Sequence, residues 1–335
     1  MKRILYLGYY IKNLDRLKFW LFFNFVIDKK GISKPGLLWD VFASSWRYKI
    51  SLLEYFQFGF YELSHSQRKT YAGTGYMYEF QLLMNPANAR NILDDKTLFY
   101  KKYGPLIKHK LADIADLLKS PELADSILKN PAGRIVFKVA DGKCGVQVEI
   151  RKSSEFDKTT LLSFMKNNGY DLVEEYIIQH PVIMNLSPSA VNTVRIFSQL
   201  NSKNEVEILG CRLRISVNSS VDNMAAGNIA APIDEKTGII TGPGVYSDIT
   251  KQDETFHPVT GTNIIGLQIP FWKETIQLVE EAAKMHTQNR SIGWDIAITE
   301  SGPDLIEGNH DWCKLVWQLP VKKGLKSMLE RHLKE

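Results

Sequence analysis

The chain has 335 residues, 44% of them hydrophobic, which is ordinary globular material, enough for two or three lobes around large cores and against a disordered chain. Its three cysteines, Cys144, Cys211 and Cys313, form no C-x-x-C pair, which argues against a zinc ribbon and a disulfide framework and fits a reducing compartment. The net charge of +5 conceals an asymmetry: residues 1–110 hold 18 Lys and Arg against 8 Asp and Glu, with 24 of the 37 aromatics, while the remainder is mildly acidic.

The longest apolar run, residues 19–27, contains Asn24 and falls well short of the roughly 20 residues needed to cross a bilayer. The opening Met1-Lys2-Arg3 leads into tyrosines and Lys12 with no small-residue cleavage site, so a cytoplasmic location is expected. A basic and aromatic region suits a membrane surface, an anionic substrate or nucleic acid. It equally suits an aromatic core under a solvated basic surface, and no nucleic-acid motif is visible.

In chain order, residues 14–75 predict several helices with bulky faces, among them 49–65 with Ile50, Leu53, Phe56 and Phe60 at helical spacing. Helices over 76–83 and 87–103 follow, and then helical patterns over 106–130 broken at Ser120-Pro121. Strands are predicted over 134–139 and 146–150, joined by a loop with Gly142, Lys143 and Gly145. Such a loop can lie over phosphates, its backbone N–H groups pointing in, or be an ordinary hairpin turn. A helix over 161–168 ends at Gly169, and a strand over 170–177 containing Glu174, Glu175 and Ile177 runs out at Gln179-His180-Pro181. There an adenine could pair with exposed backbone.

Residues 191–217 predict two strands. The second alternates, with Cys211, Leu213 and Ile215 inward and Arg212 and Arg214 on the other face, while Arg195 lies in the first. Guanidinium groups grip phosphate or carboxylate in bidentate fashion, although a solvated sheet face explains any one of them as well. Residues 242–262 read as a long irregular connection, 271–288 as an amphipathic helix, and a basic helix is expected from about Lys322.

The most informative stretch is 293–309. Residues 294–299 alternate as a half-buried strand, 300–304 read as a turn, and 305–309 resume the strand. A hairpin centred near Ser301 sets Asp295 opposite Glu307, with Asn309 on the same face. Two carboxylates and an amide oxygen converging on one face suit a hard cation such as Mg2+; a solvated hairpin face is the plainer alternative.

The order of these features, from Lys96 through Lys138 and its loop, Glu174-Glu175-Tyr176-Ile177, Arg195 and Arg214 to the Asp295–Glu307–Asn309 hairpin, resembles the ATP-grasp superfamily. It is closest to the sugar-transfer-associated branch encoded near polysaccharide biosynthesis genes. The resemblance covers roughly residues 65–320. It implies an α+β fold, two antiparallel-sheet lobes sandwiching ATP after a mainly helical N-terminal region. The expected divisions are a helical region over 1–104, a small lobe over 105–178, a large lobe over 179–320 and a C-terminal basic helix over 321–335. Lys96 and Lys138 would grip ATP, aided by the loop of Gly142, Lys143 and Gly145. Glu174, Glu175 and Ile177 would form the adenine hinge, and Gln179 or His180 would stand in for the missing ribose-binding acid. Asp295, Glu307 and Asn309 would hold Mg2+, with Arg195 and Arg214 near the transferred phosphate. The loop is poor in glycine for this family, with Lys143-Cys144 between its glycines. The activity so implied is an ADP-forming carboxylate–amine ligase of surface-glycan biosynthesis, acting on small-molecule or sugar-linked carboxylate and amine substrates without nucleic acid. The alternatives are a kinase on the same scaffold or a non-catalytic glycosyltransferase partner. Peripheral membrane or glycosyltransferase association fits the basic N-terminal region.

Overall fold

Two antiparallel sheets carry the architecture of the protein, whose computed structural model describes residues 2–142 and 148–334. In the smaller sheet, β1 (Leu111–Asp113) lies beside β4 (Leu172–Glu175), followed by β2 (Arg134–Lys138) and β3 (Val148–Lys152). The larger sheet runs, edge to edge, β7 (Ile229–Ile233), β6 (Val206–Ile215), β5 (Thr193–Leu200), β8 (Ser291–Thr299) and β9 (Gly302–Asn309).

The residues before β1 are helical, and their boundaries follow from caps. Asp15 accepts from the Lys18 N–H to start helix Arg16–Lys30, which Gly31 ends in the left-handed region at φ 66°. The single helix expected over 49–65 is instead Leu52–Gln57 and one 3-10 turn, Phe60–Glu62. Gly59, at φ 67°, turns the chain between them. The helix expected over 87–103 divides as well. Asp95 accepts from the Thr97 and Leu98 N–H groups and so starts a new helix, Lys96–Tyr103, with Lys96 as its first residue. Within 106–130, where only helices are expected, β1 pairs with β4; three residues are too few for a strand period to show.

The strands of the larger sheet are not half-buried as their alternation predicts. β5 and β8 are buried on both faces almost throughout. One face packs Val194, Ile196, Leu213 and Trp294 against helix Trp272–Met285 and against Ile183 and Leu186. Over part of the other face, Phe197 and Leu209 meet Trp312, Trp317 and the aromatics of the N-terminal helices, including Phe22, Phe56 and Phe80. Each such side chain removed from water contributes about 1.5–3 kcal/mol. In the smaller sheet Ile135, Phe137 and Val173 face helices bearing Leu117, Ile127, Leu161 and Met165. Its opposite face carries Val136, Lys138 and Glu174.

Residues 242–262 form the expected irregular connection, without helix or strand, held by isolated bridges between Ala230 and Val245, Gly244 and Glu254, and Phe256 and Asn263. Among the described residues no helix is long and apolar enough to cross a membrane. The result is the expected α+β arrangement of two antiparallel sheets preceded by a helical region.

Candidate functional site

A charged row crosses the larger sheet. Arg212 stands opposite Arg195, Arg195 opposite Asp295, and Asp295 opposite Glu307. The last pairing is the one expected, but it arises differently. The turn is only Glu300-Ser301, Gly302 at φ 105° already belongs to β9, and Thr299 faces Gly302. Continued without interruption, that register would place Ile306 opposite Asp295. A bulge beyond the Ile296–Leu305 pair leaves Ile306 over and brings Glu307 into the row instead. Gly293 faces Asn309 one step along, where a Cβ would stand 2.7 Å from the Trp312 Cβ and 3.3 Å from Arg195 Cδ, so only glycine lets these side chains close on the strand.

Asp295 is buried and holds two guanidinium groups. Arg195 donates through Nε to Oδ1 and at 2.7 Å to Oδ2, and Arg214 donates to Oδ2 at 2.8 Å. Burial alone would raise the Asp295 pKa, but the two arginines outweigh it and hold the carboxyl well below the usual carboxylate range. Glu307 is the counterpart. Burial, and then the Asp295 charge beside it, pushes its carboxyl up. Asn309 donates to Glu307 Oε1 at 3.1 Å and to the Gly293 carbonyl at 3.4 Å through its amide nitrogen, so its oxygen is left to accept.

These donors fit a hard divalent cation. A cation would favour the ionised form of Glu307, which burial and Asp295 disfavour, and Asn309 adds a neutral oxygen. Asp295 is already engaged by both arginines, and the described residues contain no cluster of three His, Cys, Asp or Glu suited to a metal. Of the three expected ligands, Asp295 thus holds Arg195 and Arg214, and Glu307 and Asn309 stand beside it.

The smaller sheet brings its own charges to this row. Lys138 Nζ lies 2.6 Å from Glu174 Oε2, and both side chains are largely buried. Lys96 donates to the Gly142 carbonyl and lies within electrostatic reach of Glu307, Lys138, Glu174 and Asp141. Burial lowers its pKa, with Glu307 opposing. Lys96 and Lys138 thus converge on the Glu307 end of the row although they come from different elements. Lys143 and Gly145 lie outside the described residues.

The model of a family described as sugar-transfer associated ATP-grasp matches residues 76–334. The chain belongs to that family. A comparison with curated proteins gives no match. Solved structures similar to this ATP-grasp protein include the biotin carboxylase domain of 2-oxoglutarate carboxylase from Hydrogenobacter thermophilus, at 15% identity and TM-score 0.40, covering 70% of this chain and 46% of that one. Biotin carboxylase from Campylobacter jejuni gives 12% and 0.45, covering 72% and 46%. D-alanyl-alanine synthetase A from Vibrio cholerae gives 12% and 0.40, covering 74% and 67%. The chain spans less than half the length of the two carboxylase chains.

Several residues of the ATP-grasp protein lie where the sequence alone did not put them. The side chain of Glu174 faces Lys138 rather than only lending backbone to a hinge. Glu175 is tied to Lys110, donating through its N–H to the Lys110 carbonyl and accepting from the Lys110 N–H at 2.9 Å, so of the hinge backbone it is Ile177, just past β4, that lies beyond the strand ladder. His180 caps helix Pro181–Leu186 by accepting from the Val182 N–H at 3.2 Å, and Gln179 is buried between Ala190 and Asn192. Both side chains are thus engaged in the local fold. Arg212 is fully engaged by the Trp317 and Cys211 carbonyls and takes no part in the Asp295 cluster.

Three residues were missed. His109 is buried between the sheets, its Nδ1 2.9 Å from Asp304 and its Nε2 3.7 Å from Glu174. Asp304, read as a turn residue, also accepts from the Lys108 and His109 N–H groups. Asn85 donates to the Ser291 and His310 carbonyls, clasping the start of β8 to the residue after β9. A histidine flanked by lysines and an asparagine before a proline are weak signals, since their partners lie about 200 residues away.

Proposed function

We propose that the protein is an ATP- and Mg2+-dependent carboxylate–amine ligase, ADP-forming, that acts on a sugar acid or an amino acid in surface-glycan synthesis. Family membership supports the nucleotide and the sugar-transfer setting. The observation that carries the acceptor chemistry is Arg214. It is buried, donates to Asp222 at 2.7 Å and to Asp295 at 2.8 Å, and its Nε is buried with no partner among the described residues. A buried guanidinium with a spare donor is a site for an anion.

A carboxylate acceptor needs such a site. It must approach a γ-phosphate that is already anionic, and two unit charges 4 Å apart repel by about 4 kcal/mol at an effective dielectric near 20. Arg195 and Arg214, fixed by Asp295, supply the opposing charge without reorganising during the reaction. Lys138 from the smaller sheet and Lys96 from the first turn of helix Lys96–Tyr103 would face the phosphates, with the exposed Val148 and Ile150 of β3 available to an apolar ring. Magnesium, held by Glu307 and Asn309, would offset the β- and γ-phosphate charge. In the first step a carboxylate oxygen bonds to the γ-phosphorus as the bond to the ADP oxygen breaks. In the second, the amine nitrogen adds to the acyl carbon, phosphate leaves with the C–O electron pair, and the amine gives up a proton.

A kinase would need a base facing its hydroxyl acceptor. Asp222 is the nearest carboxylate to Arg214, but one oxygen takes Arg214 and the other takes the Thr193 N–H and hydroxyl, which favours the ligase. The test supplies ATP, Mg2+ and pools of uronic and amino acids, with hydroxylamine to intercept an acyl phosphate as its hydroxamate. Substrate-dependent ADP with hydroxamate is expected. ADP with a stable phosphate ester and no hydroxamate would assign the kinase.

A further inference from the structure

Helix Arg16–Lys30 is apolar on two sides. Phe19, Phe22, Phe23 and Val26 are buried against the N-terminal core, as its position requires. The opposite stripe, Leu17, Trp20 and Leu21, repeats at three and four residues and lies outside, with Leu17 87% and Trp20 52% exposed. A helix apolar all round is normally enclosed on all sides, by protein or by lipid. The neighbouring helices repeat the anomaly. Helix Lys34–Tyr48 presents Trp39, 77% exposed, and helix Lys2–Lys12 presents Ile4 and Leu5. Of the seven tryptophans, the three exposed ones, Trp20, Trp39 and Trp46, all belong to this region, and the other four are buried. A scattering of single exposed apolar residues needs no explanation, but a clustering of this kind does.

Charge indicates what covers these faces. Residues 1–50 contain ten Lys and Arg and three Asp. Of the three acids, Asp40 is committed to Arg68 and Asp15 caps the helix. Arg3, Lys12 and Arg16 are exposed beside the apolar stripes, and Lys29 and Lys30 close the far end of the helix. Apolar stripes with tryptophans and a surplus of cations match the boundary of an anionic bilayer, where indole rings sit at headgroup depth and basic residues meet lipid phosphate. We infer that the N-terminal helices dock this protein, through the Leu17–Trp20–Leu21 stripe and its basic flanks, on an anionic lipid surface. The helices lie on the membrane and do not cross it, in keeping with their length. The inference is independent of the ligase reading.

The test is co-sedimentation of the full chain with vesicles of phosphatidylcholine alone and of phosphatidylcholine with phosphatidylglycerol, at low and high salt, together with tryptophan fluorescence. Binding to the anionic vesicles that weakens with salt is expected, with a blue-shifted emission that brominated lipid quenches and that Trp20→Phe diminishes. Replacing Arg3, Lys12 and Arg16 by Glu should weaken binding by about fivefold or more per residue, near 1 kcal/mol each. Leu17→Ser with Trp20→Ser should abolish it while leaving thermal unfolding and nucleotide binding as in the parent. No binding at low salt, or equal binding to both vesicle types, would overturn the inference. So would concentration-dependent self-association without lipid that the Leu17→Ser/Trp20→Ser variant abolishes, because the stripe would then be an interface between copies of the chain.

Discussion

Arg212 and Arg214 leave the same face of β6, two residues apart, and have opposite fates. The face is covered at Arg212 by the segment after β9, where the guanidinium is walled in by the Trp317 and Cys211 carbonyls and burial pulls its pKa down to about 10. At Arg214 the face carries the Asp295 cluster, and Asp222 and Asp295 outweigh the same burial and push the pKa up. One end of the face is thus a core that happens to contain a cation, and the other is a charge cluster that happens to be buried. The difference lies in the partners. Neutral carbonyls only satisfy donors, whereas paired carboxylates hold a guanidinium charged and aimed.

The largest effect should come from removing the anion that defines the charged end. Asp295→Ala leaves Arg195 without its carboxylate partner and Arg214 with Asp222 alone, and about 3–5 kcal/mol of stability should be lost, read as a lower urea midpoint at an unchanged slope. The two arginines can then be compared directly. Arg212→Met should cost about 2–3 kcal/mol through the carbonyls it orphans while ATP affinity stays as in the parent. Arg214→Met should abolish substrate-dependent ADP release. Equal losses of activity in the two variants would erase the contrast.

The bridge between the sheets gives a smaller, pH-dependent effect. Burial works against charge on His109, but its hydrogen bond to Asp304, and then Glu174, more than offset this despite the opposing Lys138, so its pKa is raised. A raised pKa means stability that is fully present below the ordinary value of 6.5 and is lost as pH rises through the higher folded value. His109→Gln should cost about 1–2 kcal/mol at the acidic side of that window and less at the alkaline side, as urea melts across pH would show. The smallest change in stability is expected at Glu307. Its pKa is raised, so ionising it weakens the fold as pH climbs above the ordinary 4.5. Glu307→Gln should leave stability near zero change or slightly improved at neutral pH, and should still eliminate Mg2+-dependent ATP turnover.

Much of the charged end is legible from local pattern. The alternation of β6 puts Arg214 on one face, and counting across the hairpin brings Asp295 to Glu307. Lys138 beside Gly142 is visible as a strand entering a loop. What sets the fate of Arg212 is not visible, because its cover, helix Lys314–Gln318 with the Trp317 carbonyl, lies about a hundred residues downstream. The same applies to His109 with Asp304 and to Asn85 with Ser291, where each partner is unremarkable until the fold brings them together. The alternation also misjudged depth. Period two reports which residues share a face, and it cannot report that both faces of β5 and β8 are covered.

The extra residue at Ile306 has a consequence for how the hairpin tolerates change. It lies between the Glu300-Ser301 tip and the Asp295–Glu307 pair, so the spacing of the tip and the alignment of the charged row are set separately. Deleting Ile306 would remove the bulge and let Glu307 follow Leu305 directly, still opposite Asp295, so that the local bend and twist of the strand would be lost and the charged pairing kept. Adding a residue at the tip leaves the bulge free to take up or release one position. The tip and the bulge are therefore the places where length can vary between related chains, and Glu307 to Asn309 is the stretch where a one-residue shift would turn the charged side chains to the other face.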